Sequence, residues 1–241
     1  MEESDFTRTR RWVVVLDPGH GGEDLGARGQ VGLYEKDVVL AIALEAERLL
    51  EAREDVQVEL TRRVDEFVPL AMRTQFANQW SADAFVSLHN NASEERSLSG
   101  LQVFYLNAAS DEAGRLLAER ENSGAGAVEQ LDDIDLILGD LTQSAKQEPS
   151  IALAHILNER ILSAAKRVWP EVRASGVRPG PFYVLVGARM PCALVELFFI
   201  DHAGDGAQLA RARVREAIAR GLVSGINAYL DRLSDEHDSQ E

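Results

Sequence analysis

The sequence predicts an α/β fold in which a sheet with parallel strands carries helices on both faces. Short apolar runs rich in valine recur along the chain, and stretches with helical spacing separate them. The chain has 241 residues, the size of one large domain. Hydrophobic residues make up 45% and charged residues 27%, so a core is available and wholesale disorder is excluded.

Trp12 to Leu16 reads as a buried strand, and Asp17-Pro18-Gly19-His20-Gly21-Gly22 ends it. From Glu35 to Ala52, Val38, Val39, Ile42, Leu44, Leu49 and Leu50 fit a helix with charges between them. Val56, Val58 and Leu60 alternate with polar residues as a second strand, and Pro69 to Trp80 is helical. Ala84 to Leu88 is another buried strand, stopping at His89-Asn90-Asn91, and Leu101 to Leu106 is a further one. Asp111 to Arg167 is helix-rich and acidic, broken by Ser123-Gly124-Ala125-Gly126-Ala127, with an amphipathic helix from Ile151 to Trp169. Phe182 to Val186 and Ala193 to Phe199 read as strands, and Gln208 to Leu230 as the last helix. The expected organisation is a linker or disordered segment over 1–11, one domain over 12–230 with a helical insertion at about 111–149, and a polar tail over 231–241.

The formal net charge is -15, from 25 Lys+Arg and 40 Asp+Glu. Gripping nucleic acid or anionic membrane needs clustered positive charge, so no nucleic-acid partner is expected. One cysteine, Cys192, excludes an intrachain disulfide framework. No apolar run reaches the roughly 20 residues of an integral membrane segment. The polar start, MEESDFTRTR, lacks a signal-peptide apolar segment, which leaves a cytoplasmic protein or a trimmed, exported one.

In open α/β sheets ligands collect at the carboxyl ends of the strands. His20 and His89 each follow a buried strand there, and Glu35 opens the first long helix just past the His20 loop. Two imidazoles and a carboxylate suit zinc and leave a fourth position for water. Each residue alone has a plainer reading: a loop histidine, or a first-turn helix carboxylate favoured by the macrodipole. Asp17 is either a ligand or a turn former. Glu196 lies inside Ala193-Leu194-Val195-Glu196-Leu197-Phe198-Phe199-Ile200, where an unpaired carboxylate is costly. It is either a satisfied buried glutamate or a general acid/base beside the metal.

Four motifs, Leu16-Asp17-Pro18-Gly19-His20-Gly21-Gly22, Tyr34-Glu35-Lys36-Asp37, Ser87-Leu88-His89-Asn90-Asn91-Ala92 and Val195-Glu196, together resemble those of the zinc-dependent N-acetylmuramoyl-L-alanine amidases of the division-associated type. The resemblance spans roughly residues 12–230. It implies a mixed, mainly parallel twisted sheet, one Zn²⁺ held by His20, Glu35 and His89, and Glu196 as the catalytic acid/base. The implied reaction is hydrolysis of the amide between N-acetylmuramic acid and L-alanine in peptidoglycan, in cell-wall remodelling and daughter-cell separation. The implied location is periplasmic or extracellular, with the export signal outside this chain. The sequence departs from the family pattern at Phe198, where glycine is common, and at Asn90, where alanine is common; Phe198 is expected to alter the pocket wall.

The insertion resembles that of autoinhibited members, through Leu116-Leu117-Ala118-Glu119-Arg120-Glu121-Asn122 and an acidic helix beyond. That implies a helix over the metal cleft with Glu121 in the open position, Glu119 and Glu129 being alternatives. It also implies an activator protein that draws the helix away, with Leu131, Ile134, Leu138 and Leu141 as its anchors or as core contacts. An amphipathic cover that only packs is the plainer reading. Diffuse charge attraction to peptidoglycan is a poor account of binding for so acidic a chain; Arg62, Arg63 and Arg73 are local positive candidates, with solvated surface the expected fate of all three. A monomer is expected. The competing functions are a zinc peptidase or other amidohydrolase, and a silent wall-binding regulatory module.

Overall fold

A computed structural model describes residues 11–29, 32–123 and 141–238. Among the described residues six strands form one sheet: β1 (Trp12–Pro18), β2 (Val56–Leu60), β3 (Ala84–Asn91), β4 (Leu101–Leu106), β5 (Ala174–Gly180) and β6 (Cys192–Phe199). Their order is β2-β1-β3-β6-β4-β5. All neighbours pair in parallel except β4 and β6, which run antiparallel, so the sheet is mixed and mainly parallel as expected.

The helices among the described residues are α1 (Glu35–Leu50), α2 (Leu70–Gln79), α3 (Glu112–Asn122), α4 (Leu141–Lys166), α5 (Ala203–Leu209) and α6 (Ala212–Asp238). Alternation along the strands sends side chains to two separate cores. Val14, Leu16, Val86, Leu88, Val195 and Leu197 face the core built with α1, α4 and α6. Val15, Phe85, Leu194 and Phe104 face the smaller one, with Ala77 of α2 and Leu117 and Ala118 of α3. Asp17, Ser87, His89 and Glu196 hold the odd positions of β1 and β3 and the even position of β6 on that second face. They sit towards the strand ends, so the pleat itself delivers the polar residues to one edge.

Four features differ from the sequence reading. Phe182–Val186 is a buried 3₁₀ turn (Tyr183–Leu185) rather than a strand, closed by Leu185 N–H to the Phe182 carbonyl. The fifth strand is Ala174–Gly180 instead, a run of small residues with one proline at the sheet edge. A short apolar run does not by itself distinguish a strand from a buried turn. Helix α4 begins ten residues before Ile151, with Pro149 inside it, and α6 continues to Asp238 through the region read as a polar tail. Residues 1–10 of the expected linker, the small-residue break beyond Ser123, and Leu131, Ile134 and Leu138 lie outside the described residues.

Phe198 has φ +70°, a left-handed backbone that an L side chain adopts at a cost of roughly 1–2 kcal/mol. It sits at the irregularity where β3–β6 pairing shifts register after His89. Its ring is fully buried and lies 4.9 Å from Trp169, within the core of α1, α4 and α6. The altered pocket wall expected at this position is therefore corrected: the phenyl packs on the opposite sheet face from His89 and Glu196. Phe198→Gly removes the strain but also a buried phenyl worth about 3–5 kcal/mol, for a net loss of about 1–4 kcal/mol. Phe198→Ala keeps the strain and loses the ring, so urea denaturation should rank stability as parent, then glycine, then alanine. Alanine above glycine would show that the backbone strain is not felt.

Candidate metal centre

β1 ends at Asp17-Pro18, and Gly19 carries the chain across the end of β3, its N–H bonded to the Leu88 carbonyl at 2.9 Å. A Cβ at Gly19 would stand 2.5 Å from the His89 ring, so only glycine lets the two segments approach. His20 follows in a left-handed conformation, φ +55°. Asp24 Oδ2 lies 2.9 Å from His20 Nδ1, which assigns the proton to that nitrogen and turns Nε2 inward. Glu35, the first residue of α1, is fully buried. Its Oε2 accepts Ala27 N–H at 2.8 Å and its Oε1 accepts Asn90 N–H at 2.8 Å. His89 stands at the end of β3 with its ring 4.9 Å from that of His20.

These groups converge. Glu35 Oε1 is 3.1 Å from His20 Nε2 and 3.1 Å from His89 Nδ1. Glu121, on the last turn of α3, completes the set: its Oε2 is 3.3 Å from His20 Nε2 and 3.0 Å from His89 Nδ1. One donor atom from each of His20, Glu35, His89 and Glu121 lies within 4.8 Å of all the others. Tetrahedral donors at zinc bond lengths of about 2.0–2.2 Å stand roughly 3.3–3.6 Å apart, close to the spacing seen here. His20 Nε2 and Glu121 Oε2 are buried without a hydrogen-bond partner among the described residues, as donors awaiting a cation would be. Two imidazoles with carboxylates are a donor set suited to a borderline divalent ion.

Burial alone would lower both imidazoles, but the carboxylates around them win. His20 is raised well above its usual range, chiefly by Glu35, and His89 is pushed up to about 9, chiefly by Glu121. Burial opposes ionisation of Glu35, yet His20 draws it down to about 2. Glu121 is likewise held well below the usual carboxylate range, against burial, by His89 and His20.

Glu196 stands outside the donor set, opposite His89 in the β3–β6 register. It is fully buried, and neither of its oxygens has a hydrogen-bond partner among the described residues. Burial, reinforced by Glu121, pushes its carboxyl up to about 8. The alternative of a glutamate satisfied by hydrogen bonds is thus not what the structure holds.

Asp17 is not among the clustered donors. Its carboxylate is buried and committed to Arg73 at 2.8 Å, Thr61 at 2.6 Å and Ser87 at 2.7 Å. Arg62 and Arg73 are 1% and 2% exposed, which corrects the solvated surface expected for them; of the three arginines only Arg63 is at the surface, with Glu47 and Glu59. Sequence reasoning also missed Asp24, four residues after His20, and Arg120, which pairs with Glu121 Oε1 at 2.8 Å and donates to the Ala92 carbonyl at 2.6 Å. Glu119 is exposed and pairs with Arg115, while Glu129 lies outside the described residues.

A mainly parallel sheet with a buried cluster of two histidines and two glutamates at its carboxyl edge defines an α/β domain built around a candidate metal site. The chain belongs to the N-acetylmuramoyl-L-alanine amidase family, whose model matches residues 14–228. It is 35% identical over 228 residues to the N-acetylmuramoyl-L-alanine amidase AmiC of Escherichia coli, covering 92% of this chain and 54% of AmiC. The chain thus spans about half the length of that relative. Among solved structures, the catalytic domain of CwlV, an N-acetylmuramoyl-L-alanine amidase of Paenibacillus polymyxa, is 28% identical with a TM-score of 0.69, over 91% of this chain and 98% of that one. The CwlD amidase of Clostridioides difficile, solved in complex with the GerS lipoprotein, is 25% identical with a TM-score of 0.68, over 92% and 99%.

Proposed function

We propose that this domain hydrolyses the amide between the lactyl group of N-acetylmuramic acid and the L-alanine of peptidoglycan stem peptides, using one zinc ion held by His20, Glu35 and His89. The observation that carries the reading is the meeting of those three donors next to Glu196, a buried carboxyl without a partner among the described residues. Family membership supports the substrate class. Zinc held by these residues would supply Lewis acidity towards the scissile carbonyl and towards water. The chain does the remaining work. Asp24 fixes the His20 tautomer, and the Ala27 and Asn90 amides hold the Glu35 carboxylate in one orientation. Glu196 takes a proton from the attacking water and delivers it to the alanine nitrogen as the C–N bond breaks.

The same reading extends to control. Glu121 contacts both histidines of the cluster, so α3 holds the resting enzyme at a low basal rate until an activator protein draws it away. The CwlD–GerS complex supports the binding of a protein partner to such a domain. Peptidoglycan lies outside the cytoplasmic membrane, so the working compartment is the periplasm or the cell exterior and the work is wall remodelling at daughter-cell separation. No helix among the described residues is long and apolar enough to cross a membrane. The domain acts as a monomer towards the wall.

A digest of purified peptidoglycan tests the reaction. The expected products are free stem peptides and intact glycan strands, lost on treatment with a zinc chelator and regained on adding zinc. Cleavage within the stem peptide would replace the amidase with a zinc peptidase. No cleavage by the parent or by a Glu121 variant would leave only a silent wall-binding module.

A further inference from the structure

Two buried guanidinium groups hold the segment that carries His20. Arg62 donates to the carbonyls of Pro18 at 2.9 Å, Val64 at 3.2 Å and, through one nitrogen, both Gly19 at 2.7 Å and Lys36 at 2.9 Å. Gly19 precedes His20 and Lys36 follows Glu35, so a single Nη2 bridges the backbones next to two of the proposed metal ligands. Arg73 donates to the carbonyls of Pro18 at 2.9 Å, His20 at 3.0 Å and Val68 at 2.9 Å, and pairs with Asp17 at 2.8 Å. Between them the two arginines take the three successive carbonyls of Pro18, Gly19 and His20. These carbonyls belong to a turn whose left-handed His20 is disfavoured unless its surroundings impose it.

We infer that Arg62 and Arg73 are positioning residues, which fix the spacing between His20 and Glu35 and so set metal affinity rather than bind substrate. This gives a physical reason for arginine at both places. Only a planar fork with several N–H groups satisfies three or four carbonyl oxygens at once from a buried position; the compact ammonium of lysine does not. It also separates these residues from Arg63, adjacent in sequence, whose contacts are with surface carboxylates.

The inference rests on the amidase reading only in taking His20 and Glu35 as ligands of the ion, and its test needs no substrate. Arg62→Lys, Arg73→Lys and Arg63→Lys are compared with the parent in three measurements. These are the zinc dissociation constant against a competing chelator at fixed pH, the visible spectrum after cobalt substitution, and the melting of the zinc-free protein. Arg62→Lys and Arg73→Lys should still melt cooperatively, should weaken zinc binding by about 10–100-fold, the usual range for residues that orient metal ligands, and should alter the cobalt bands. Arg63→Lys should match the parent in all three. Parent-like zinc binding and cobalt bands in the two buried variants would overturn the inference. Failure of both to fold would overturn it too, by making them supports of the whole fold. Zinc binding without any cleavage of peptidoglycan, by the parent and by a Glu121→Ala variant alike, would sink the amidase reading and leave this one standing.

Discussion

Replacing Glu196 by glutamine should lower turnover on peptidoglycan by about 10²–10⁴-fold, the usual contribution of a positioned proton-transfer group, while zinc content stays at one ion per chain. The two effects separate because Glu196 lies outside the set of clustered donors yet faces the same edge from the neighbouring strand. Its environment is expensive in stability: a carboxyl in the middle of β6, buried, with no hydrogen-bond partner among the described residues. Glutamine has nearly the same shape and removes the ionisable group, so the melting temperature should equal or exceed the parent's. A residue kept at the expense of stability is one held for its chemistry. Assay of hydrolysis alongside metal analysis and thermal melting checks all three. Parent-level turnover in a zinc-loaded Glu196→Gln protein would remove Glu196 from the mechanism.

Much of this edge is readable from the chain, and the reason is the pleat. A buried strand announces itself by an apolar run, and the first polar residues past its end fall where ligands gather. His20 and His89 stand out for that reason, and Glu196 stands out because a carboxylate interrupts an apolar run. The arginines show where such reading stops. Composition says that Arg62 and Arg63 are equivalent, and only the path of the His20 loop, which leaves its carbonyls facing inward, makes one of them buried and the other exposed. Strand β5 is hidden because Ala174–Gly180 carries two glycines and a proline; its extended shape comes from pairing with β4, not from its own preference. Phe182–Val186 has the opposite fault, strong apolar character with its burial provided by a turn. Phe198 joins the two lessons. The resemblance leads one to expect glycine there, and the backbone angle shows a left-handed conformation that glycine would adopt without strain.

Replacing Glu121 by alanine should raise basal hydrolysis by about 10–150-fold without any activator. The figure follows from taking the ionic contacts of Glu121 Oε2 with His20 and His89 as worth about 1.5–3 kcal/mol, lost from the closed state alone. Activity gained in this way scales with the open fraction as long as that fraction is small. The attachment of α3 is suited to release. Its apolar footing is short, Leu117 and Ala118, while Leu116 is 52% exposed. The other ties are polar: Asp111 caps the helix and pairs with Arg178, and Asn122 exchanges hydrogen bonds with the Pro181 carbonyl and the Tyr183 amide. Water replaces such bonds at modest loss when the helix lifts. Deleting Glu112–Gln147 should also raise basal activity, but it uncovers the apolar side chains under Leu117, so the point variant is the cleaner measurement. Release of soluble fragments from dye-labelled peptidoglycan gives the rate, and a melting curve shows whether the variant is folded. A folded Glu121→Ala protein with unchanged or lower activity would mean that α3 is packing and not a plug.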